Sequence, residues 1–177
     1  TDYQRHGGGR TGSLWLSLCL MGAHVRGRAR PGWTFKTALV SFAVMPARYI
    51  VRASTEFSAA HVLYGYEGAC NRIHGHNFKV ELEVEARALD GVGMAIDFTQ
   101  LESMAASIAQ ELDHRLLNEI PPFNEVNPTA ENLGAYFWTR TAKALSEGSA
   151  ADEARGVRLL SVTVRENDRT SVTYTEL

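Results

Sequence analysis

Three histidines in two short segments are the residues of this sequence best suited to chemistry. His61 closes the segment Phe57-Ser-Ala-Ala-His61, and His74 and His76 lie in the segment Cys70-Asn-Arg-Ile-His74-Gly-His76. Three neutral imidazoles with one open coordination position describe a catalytic zinc site. A single buried histidine is more often a hydrogen-bonded core residue, so the spacing alone leaves both interpretations open. Cys70 could also close the site as a fourth ligand, which would make it structural.

Two further segments carry side chains that suit binding or proton transfer. Glu166 shares strand parity with Val162 and Val164, so the inward row of that strand would end in a carboxylate. Such a carboxylate either faces water or binds a flat heterocycle through two N–H groups. Asp113 and His114 are consecutive, and they fit either a helix C-terminus or an aspartate that orients a proton-transferring histidine.

A strand before the middle of the chain must position two of the histidines. Residues 78–86 alternate apolar and charged side chains, which predicts a strand with one wet face that includes Glu85. His74 and His76 share the parity of Phe78, so both imidazoles are expected on the apolar face. Residues 49–57 alternate in a similar way and predict a preceding strand that leads to His61.

Two amphipathic helices are predicted to follow. Asp97 can cap the first, and Asn127 or Thr129 can cap the second, which is expected to end near Gly148. Residues 149–156 are predicted to form a polar linker.

Two more strands are predicted to complete the fold. One has Leu160, Val162 and Val164 on its inner face, and the other contains Val172 and Tyr174. The resulting order, ββααββ, predicts an α+β fold with an antiparallel sheet and two helices on one face.

Composition limits the class of protein. The 177 residues suffice for one domain, no stretch is long enough to cross a membrane, and two cysteines favour a reducing compartment. Residues 1–44 hold six Lys or Arg and a single acid, and we expect them to be a non-native or targeting extension. Residues 45–177, the expected domain, then carry a net charge of -7, which disfavours nucleic-acid binding.

Six segments occur in the order found in the 6-pyruvoyl-tetrahydropterin synthase family, which this sequence resembles. Besides the two histidine segments they are Ile96-Asp97-Phe98, Leu112-Asp113-His114, Asn127-Pro128-Thr129-x-Glu131-Asn132 and Val164-x-Glu166. The three-residue gap between Cys70 and His74 is similar to that of the 6-carboxy-tetrahydropterin synthases of queuosine biosynthesis. The resemblance implies the tunnelling fold, in which subunits join edge to edge into a trimer or hexamer with active sites between subunits.

The resemblance also implies roles for individual residues. It assigns three groups: the Zn²⁺ ligands His61, His74 and His76; the proton-transfer residues Cys70, Asp113 and His114; and the pterin-binding residues Glu166, Thr129 and Glu131. The triphosphate of the substrate has three candidate partners, Arg72, Lys79 and Arg115.

The activity implied by the resemblance is the zinc-dependent conversion of 7,8-dihydroneopterin triphosphate to 6-carboxy-5,6,7,8-tetrahydropterin. Acetaldehyde and triphosphate would be lost in that reaction. Two alternatives remain: a 6-pyruvoyl-tetrahydropterin synthase, which eliminates triphosphate without cleaving the side chain, and a non-catalytic, zinc-stabilised pterin-binding barrel. The reducing compartment that the two cysteines favour predicts a cytoplasmic location.

Overall fold

The computed structural model describes residues 47–176, which form the predicted strands and helices in the predicted order. The elements are β1 (Tyr49–His61), β2 (His74–Ala86), α1 (Phe98–Leu112), α2 (Ala130–Ser146), α3 (Ala150–Ala154), β3 (Arg158–Asn167) and β4 (Thr170–Tyr174). The α+β prediction is therefore confirmed. The extension expected at residues 1–44 lies outside the described residues. Among the described residues no helix is both long and apolar enough to cross a bilayer.

The four strands form one antiparallel sheet in the order β1-β2-β3-β4. β1 and β2 form a ladder along their whole 13-residue lengths, from the pair Tyr49 and Ala86 to the pair His61 and His74. This register places two of the candidate ligands directly opposite each other at one end of the hairpin.

The core lies between one face of the sheet and the two long helices, as the period-2 and period-3.6 patterns predict. α1 packs on β1 and β2, and α2 packs on β3 and β4. The sheet contributes a buried row that includes Phe57, Phe78 and Val164, and the helices contribute Leu112 and Phe137. Extending this apolar row along β2 leads directly to His76.

Side-chain caps begin both long helices. Asp97 is the N-cap of α1, where its carboxylate accepts a hydrogen bond from the Thr99 backbone N–H. Thr129, rather than Asn127, is the N-cap of α2, and its hydroxyl accepts from the Asn132 backbone N–H. Pro128 immediately precedes this cap, and its carbonyl oxygen lies 2.7 Å from Nδ1 of His61. The cap at Thr129 therefore holds the chain next to the histidines.

Three predictions about the region after α2 and the wet face were wrong. Residues 149–156 are not only linker, because Ala150–Ala154 form the short helix α3 with Ser149 as its cap. The β2–β3 ladder has a bulge, which turns Leu159 into the core and leaves Leu160 half-buried. Glu85 is also buried.

Glu85 departs from the wet-face pattern because two arginines cover it. Its side chain is 2% exposed and pairs with Arg48, which precedes β1, and with Arg158 at the start of β3. Burial raises the pKa of Glu85, but the hydrogen bond and charge of Arg158, together with Arg48, outweigh this effect and hold the pKa below its usual range. The carboxylate is therefore buried in its ionised form.

Candidate metal and pterin site

His61, His74 and His76 converge at the end of the β1–β2 hairpin, as predicted from the parity of His74 and His76 and from the position of His61 at the end of the preceding strand. Each offers one ring nitrogen, and the three nitrogens all lie within 4.8 Å of one another. The ring centroids of His61 and His74 are 4.4 Å apart, and those of His74 and His76 are 5.1 Å apart. The three side chains are therefore positioned to hold a single metal ion.

Backbone carbonyls orient two of the rings. The Nδ1 atom of His61 lies 2.7 Å from the carbonyl oxygen of Pro128, and the Nδ1 atom of His74 lies 2.8 Å from that of Arg72. A carbonyl oxygen only accepts, so each Nδ1 carries the proton and each Nε2 keeps its lone pair. Carbonyl-bound imidazoles of this kind are typical of metal ligands.

Buried nitrogen atoms without hydrogen-bond partners indicate a metal-binding site. Among the described residues, the Nε2 atoms of His61 and His76 are buried and make no hydrogen bond. Buried polar atoms are rarely left unsatisfied in proteins. A metal ion bound by these lone pairs would satisfy both atoms, so the donor set fits a metal.

Burial favours the metal-binding form of His61. This side chain is fully buried, and the loss of solvent lowers its pKa. The hydrogen bond that His61 donates to the Pro128 carbonyl acts in the opposite direction, and the nearby His74 lowers the pKa further. The ring is therefore neutral near pH 7, as a metal ligand must be.

Gly75 allows the two strands to approach each other between the histidines. A Cβ atom at this position would lie 3.1 Å from the carbonyl oxygen of Ala59 on β1, which is closer than ordinary contact. A larger residue would require the backbone of β1 to move by a few tenths of an ångström at this point. Glycine at this position therefore accommodates the close approach of the two strands beside the histidines.

A pocket of about 240 Å³ adjoins the histidine group. Glu166, Thr129 and Glu131, which were predicted to bind a pterin, all line it, together with apolar residues such as Leu63. The Oε2 atom of Glu166 is 3.9 Å from the Nε2 atom of His76. Glu166 therefore belongs to both the pocket and the surroundings of the histidines, and its side chain is half-buried, at 27% exposed.

Asp113 and His114 lie at the edge of β1, and His114 lines a second cavity. One Asp113 oxygen accepts a hydrogen bond from the Ser58 backbone N–H at 2.8 Å, and the other lies 2.9 Å from Nδ1 of His114. The bond from Ser58, followed by that from His114, lowers the pKa of Asp113. His114 has a positive φ of 55°, a backbone conformation that is uncommon for residues other than glycine.

The second cavity, an open groove of about 560 Å³, joins His114 to the metal end of the sheet. His76, Asn77 and Arg115 also line it. Arg115, a candidate for triphosphate binding, is thus near His114. Of the other two candidates, Lys79 pairs with Glu56 at 3.0 Å, and Arg72 is exposed beside the histidines.

Cys70 lies in the loop that connects β1 to β2. It is a free, half-buried cysteine, and it is not part of the group formed by the three histidine nitrogens. Its carbonyl oxygen accepts a hydrogen bond from the Leu63 backbone N–H at 2.9 Å. Cys70 lines neither the Glu166 pocket nor the His114 groove.

Comparison with known proteins agrees with this geometry. The family model described as 6-pyruvoyl tetrahydropterin synthase matches residues 50–177. The chain belongs to the 6-pyruvoyl tetrahydropterin synthase family. The match to this family covers both strands of the histidine hairpin, the Asp113–His114 segment and Glu166.

Relatives within the family have different names. A protein of Archaeoglobus fulgidus, provisionally named 6-carboxy-5,6,7,8-tetrahydropterin synthase, is 33% identical over 124 residues, which are 70% of this chain and 93% of the relative. The dihydroneopterin monophosphate aldolase of Pyrococcus furiosus is 40% identical over 101 residues, 57% of this chain and 80% of the relative. Membership of the family therefore does not by itself select one reaction.

A solved structure has the same fold. The 6-pyruvoyl tetrahydropterin synthase of Caenorhabditis elegans superposes with a TM-score of 0.62 at 23% identity, covering 74% of this chain and 97% of that one. This similarity supports the tunnelling fold of the family.

Sequence reasoning missed four residues that hold the site in place. They are Ser58, Asn118, Asn127 and Pro128; the side chain of Asn127 acts here by hydrogen-bonding the backbone of Tyr64. Ser58 acts through its backbone N–H and Pro128 through its backbone carbonyl. Every residue has a carbonyl and every residue except proline has an N–H, so no sequence pattern could have indicated these two contacts. The two asparagines lie in loops, where a polar residue is ordinary.

Proposed function

We propose that this chain is a zinc-dependent lyase that converts 7,8-dihydroneopterin triphosphate and water to 6-carboxy-5,6,7,8-tetrahydropterin, acetaldehyde and triphosphate, a reaction of queuosine biosynthesis. The observation that carries the proposal is the group of His61, His74 and His76, with buried unpartnered nitrogens, beside the pocket that Glu166 lines. The names of relatives support a pterin substrate. The three-residue gap between Cys70 and His74 supports the 6-carboxy branch.

Zinc is the metal that best fits the donor set. All three donors are imidazole nitrogens, and three protein ligands with an open position are typical of catalytic zinc. Cys70 lies outside the group, which argues against a closed structural site. When bound, zinc acidifies the C–H and O–H bonds of the substrate side chain and stabilises the oxyanion that develops there.

Glu166 is the proposed anchor for the pterin ring. A carboxylate accepts two parallel N–H···O bonds well, and the amino-pyrimidinone edge of a pterin presents two such N–H groups. Thr129 and Glu131 line the same pocket and would flank the ring. Because Glu166 is also 3.9 Å from His76, a ring held there would place its side chain next to the metal.

Cys70, Asp113 and His114 are the proposed proton-transfer residues. The Asp113 carboxylate, ionised because its pKa is lowered, holds the Nδ1–H of His114 and leaves Nε2 free to exchange a proton. Cys70 would accept a proton from the substrate as its thiolate. Cys70 does not line the groove that contains His114, so we infer that the thiol and its relay meet across a subunit boundary.

Assembly of several copies would bring these groups together. In the described part of the chain, β4 and residues 49–57 of β1 are the open edges of the sheet. Open edges invite pairing with another chain. We therefore propose a homotrimer or homohexamer in which β1 of one subunit pairs with β4 of the next and active sites lie between subunits.

We place the reaction in the cytoplasm. Cys70 is a free cysteine, and its proposed role requires a reduced thiol. Cytosolic glutathione and thioredoxin maintain that state, whereas oxidising compartments favour disulfides.

The proposal is tested by incubating the zinc-loaded chain with 7,8-dihydroneopterin triphosphate and identifying the products by mass spectrometry. We expect 6-carboxy-5,6,7,8-tetrahydropterin and acetaldehyde in equal amounts. The pyruvoyl product without acetaldehyde would assign the chain to the 6-pyruvoyl reaction instead. A folded, zinc-bound chain that yields neither product would overturn the enzymatic proposal and favour a pterin-binding barrel.

A Cys70→Ala variant tests the role of the thiol in the same assay. We expect zinc to remain bound while turnover falls at least about a hundredfold, the typical contribution of a general base. Loss of zinc together with assembly would instead identify Cys70 as a structural ligand.

A further inference from the structure

Two asparagine side chains hold the chain that follows His61. Asn118 accepts a hydrogen bond from the Val62 backbone N–H at 2.8 Å and donates to the Val62 carbonyl at 2.9 Å. Asn127 does the same with Tyr64, with both distances at 2.9 Å. We refer to Asn118 and Asn127 as the asparagine clamp.

The clamp imitates a neighbouring strand. Each amide offers one donor and one acceptor to one residue, as a paired strand residue does in an antiparallel ladder. The orientation of each amide is unambiguous, because a backbone N–H only donates and a carbonyl only accepts. Val62 and Tyr64 are two residues apart, so the clamp occupies one edge of the segment and leaves Leu63 facing the other.

The free edge of the clamped segment holds Cys70. The Leu63 N–H donates to the Cys70 carbonyl oxygen at 2.9 Å. The position of this carbonyl therefore depends on a segment that the clamp holds on its other side. The backbone of Cys70 is connected to the clamp through a single residue.

The clamp also connects to the ring of His61. His61 immediately precedes Val62, and its Nδ1 is bonded to the carbonyl of Pro128, the residue after Asn127. The backbone carbonyl of Asn127 accepts a further bond from the Asn132 side chain at 2.8 Å, which ties this loop to the start of α2. One short loop thus fixes the His61 ring and the chain that leads to Cys70.

We propose that Asn118 and Asn127 are positioning residues that set a metal ligand, His61, and the thiol of Cys70 relative to each other. The proposal rests on the roles given above to His61 and Cys70. A clamp that merely stabilised a loop would affect the folding free energy alone. A positioning clamp affects metal binding and thiol reactivity in the folded protein.

Asn127→Asp is the test variant, with Asn124→Asp as the matched control. The first keeps the shape of the side chain but replaces the donor to the Tyr64 carbonyl with an oxygen that repels it. Asn124 is exposed in the same loop, so its variant introduces the same charge without altering the clamp. A nearby negative charge by itself would strengthen zinc binding, so a weaker affinity cannot come from the charge.

Two measurements on the 177-residue chain separate positioning from simple stabilisation. All proteins carry Cys19→Ser, so that Cys70 is the only cysteine of the sequence that can be alkylated. The zinc dissociation constant is measured by competition with a chelator, and the rate of Cys70 alkylation by iodoacetamide is measured on the metal-free protein. For folded Asn127→Asp we expect about a tenfold weaker zinc affinity and a change in alkylation rate of about threefold or more. The control should bind zinc no more weakly than the parent protein and should be alkylated at the parent rate.

Parent values for both quantities in folded Asn127→Asp would overturn the proposal, whatever the change in melting temperature. If Asn127→Asp does not fold, Asn118→Asp replaces it, since it loses the corresponding donor to Val62 and is judged by the same criteria. Neither assay contains a pterin. A failure of the proposed reaction would therefore leave the result for the clamp intact, and the reverse also holds.

Discussion

The β1–β2 hairpin buries polar side chains at both of its ends, but the buried polar atoms have partners within the chain at one end only. At the end near Ala86, the Glu85 carboxylate is 2% exposed and has an arginine partner for each oxygen. At the other end, His61 is fully buried, and its Nε2 atom has no partner among the described residues. The two ends belong to one continuous ladder.

The difference distinguishes stability from function. Burial of a polar group is unfavourable unless the group is paired. At Glu85 the partners, Arg48 and Arg158, belong to the chain, so the compensation is complete in the folded protein alone. At His61 and His76 the compensation must come from a bound ligand, and this requirement is characteristic of a binding site.

Removal of a ligand at the histidine end is expected to have the largest effect. His74→Ala leaves two imidazoles, so zinc affinity should fall more than a hundredfold and zinc should be lost on dialysis. Metal content is measured by mass spectrometry after dialysis, with Glu85→Gln as the comparison that keeps zinc. One equivalent of tightly held zinc in His74→Ala would contradict the assigned ligand set.

Zinc is expected to stabilise the fold from this end. Because only the folded hairpin brings the three rings together, free zinc at a hundred times its dissociation constant should add about 2.7 kcal/mol to the free energy of unfolding. Urea denaturation with and without zinc measures this gain. The gain should vanish in His74→Ala and persist in Glu85→Gln; equal gains in all three proteins would show that zinc acts elsewhere.

The Glu85 end should respond in stability without any change in metal binding. Glu85→Gln replaces a buried, doubly paired carboxylate, and the free energy of unfolding should fall by about 1–3 kcal/mol. Glu81→Gln on the same strand is the matched control, because Glu81 is 39% exposed and its ion pair with Arg52 is long, at 4.0 Å. This substitution should change the free energy of unfolding by less than about 0.5 kcal/mol. Equal effects of the two substitutions would refute the special role of Glu85.

The two ends should lose stability in different pH ranges. The pKa values of His61 and Glu85 are both lowered in the folded protein, so at each site the unfolded chain binds protons more readily. The free energy of unfolding therefore decreases as the pH decreases. For metal-free protein the His61 contribution is complete above about pH 6.5 and is lost as pH falls through its folded pKa. The Glu85 contribution persists to about pH 4.3 and is lost only below it.

Urea titrations of the metal-free protein across this pH range measure both losses. The Glu85→Gln variant should retain the loss that begins near pH 6.5 and show a smaller loss below pH 4.3. If Glu85→Gln instead removed the decrease in stability that begins near pH 6.5, the assignment of the two pH ranges would be wrong.

The histidine end could be predicted from sequence because it follows from local parity. His74 and His76 share the phase of Phe78, and an unbroken strand carries that phase to the site. The same logic placed Glu166 on the inner face. The cap of α2 was narrowed to two residues, of which the structure selects Thr129.

The remaining features depend on tertiary contacts that a local pattern does not contain. The sequence predicts Glu85 on the solvent-exposed face of β2, because the arginines that cover it come from distant parts of the sequence. The bulge that turns Leu159 inward instead of Leu160 arises from the pairing of β3 with β2. Likewise, Asn118 lies far along the chain from Val62, which it clamps.

The placement of the three histidines on one hairpin has a consequence for the order in which the site forms. His61 and His74 pair across a loop of residues 62–73, whereas Glu166 arrives with the third strand, after both long helices. Short loops close with a smaller loss of entropy and faster than long ones. We therefore expect the metal centre to assemble during refolding before its pocket does, so that amides of β1 and β2 gain protection in pulse-labelling hydrogen exchange ahead of those of β3.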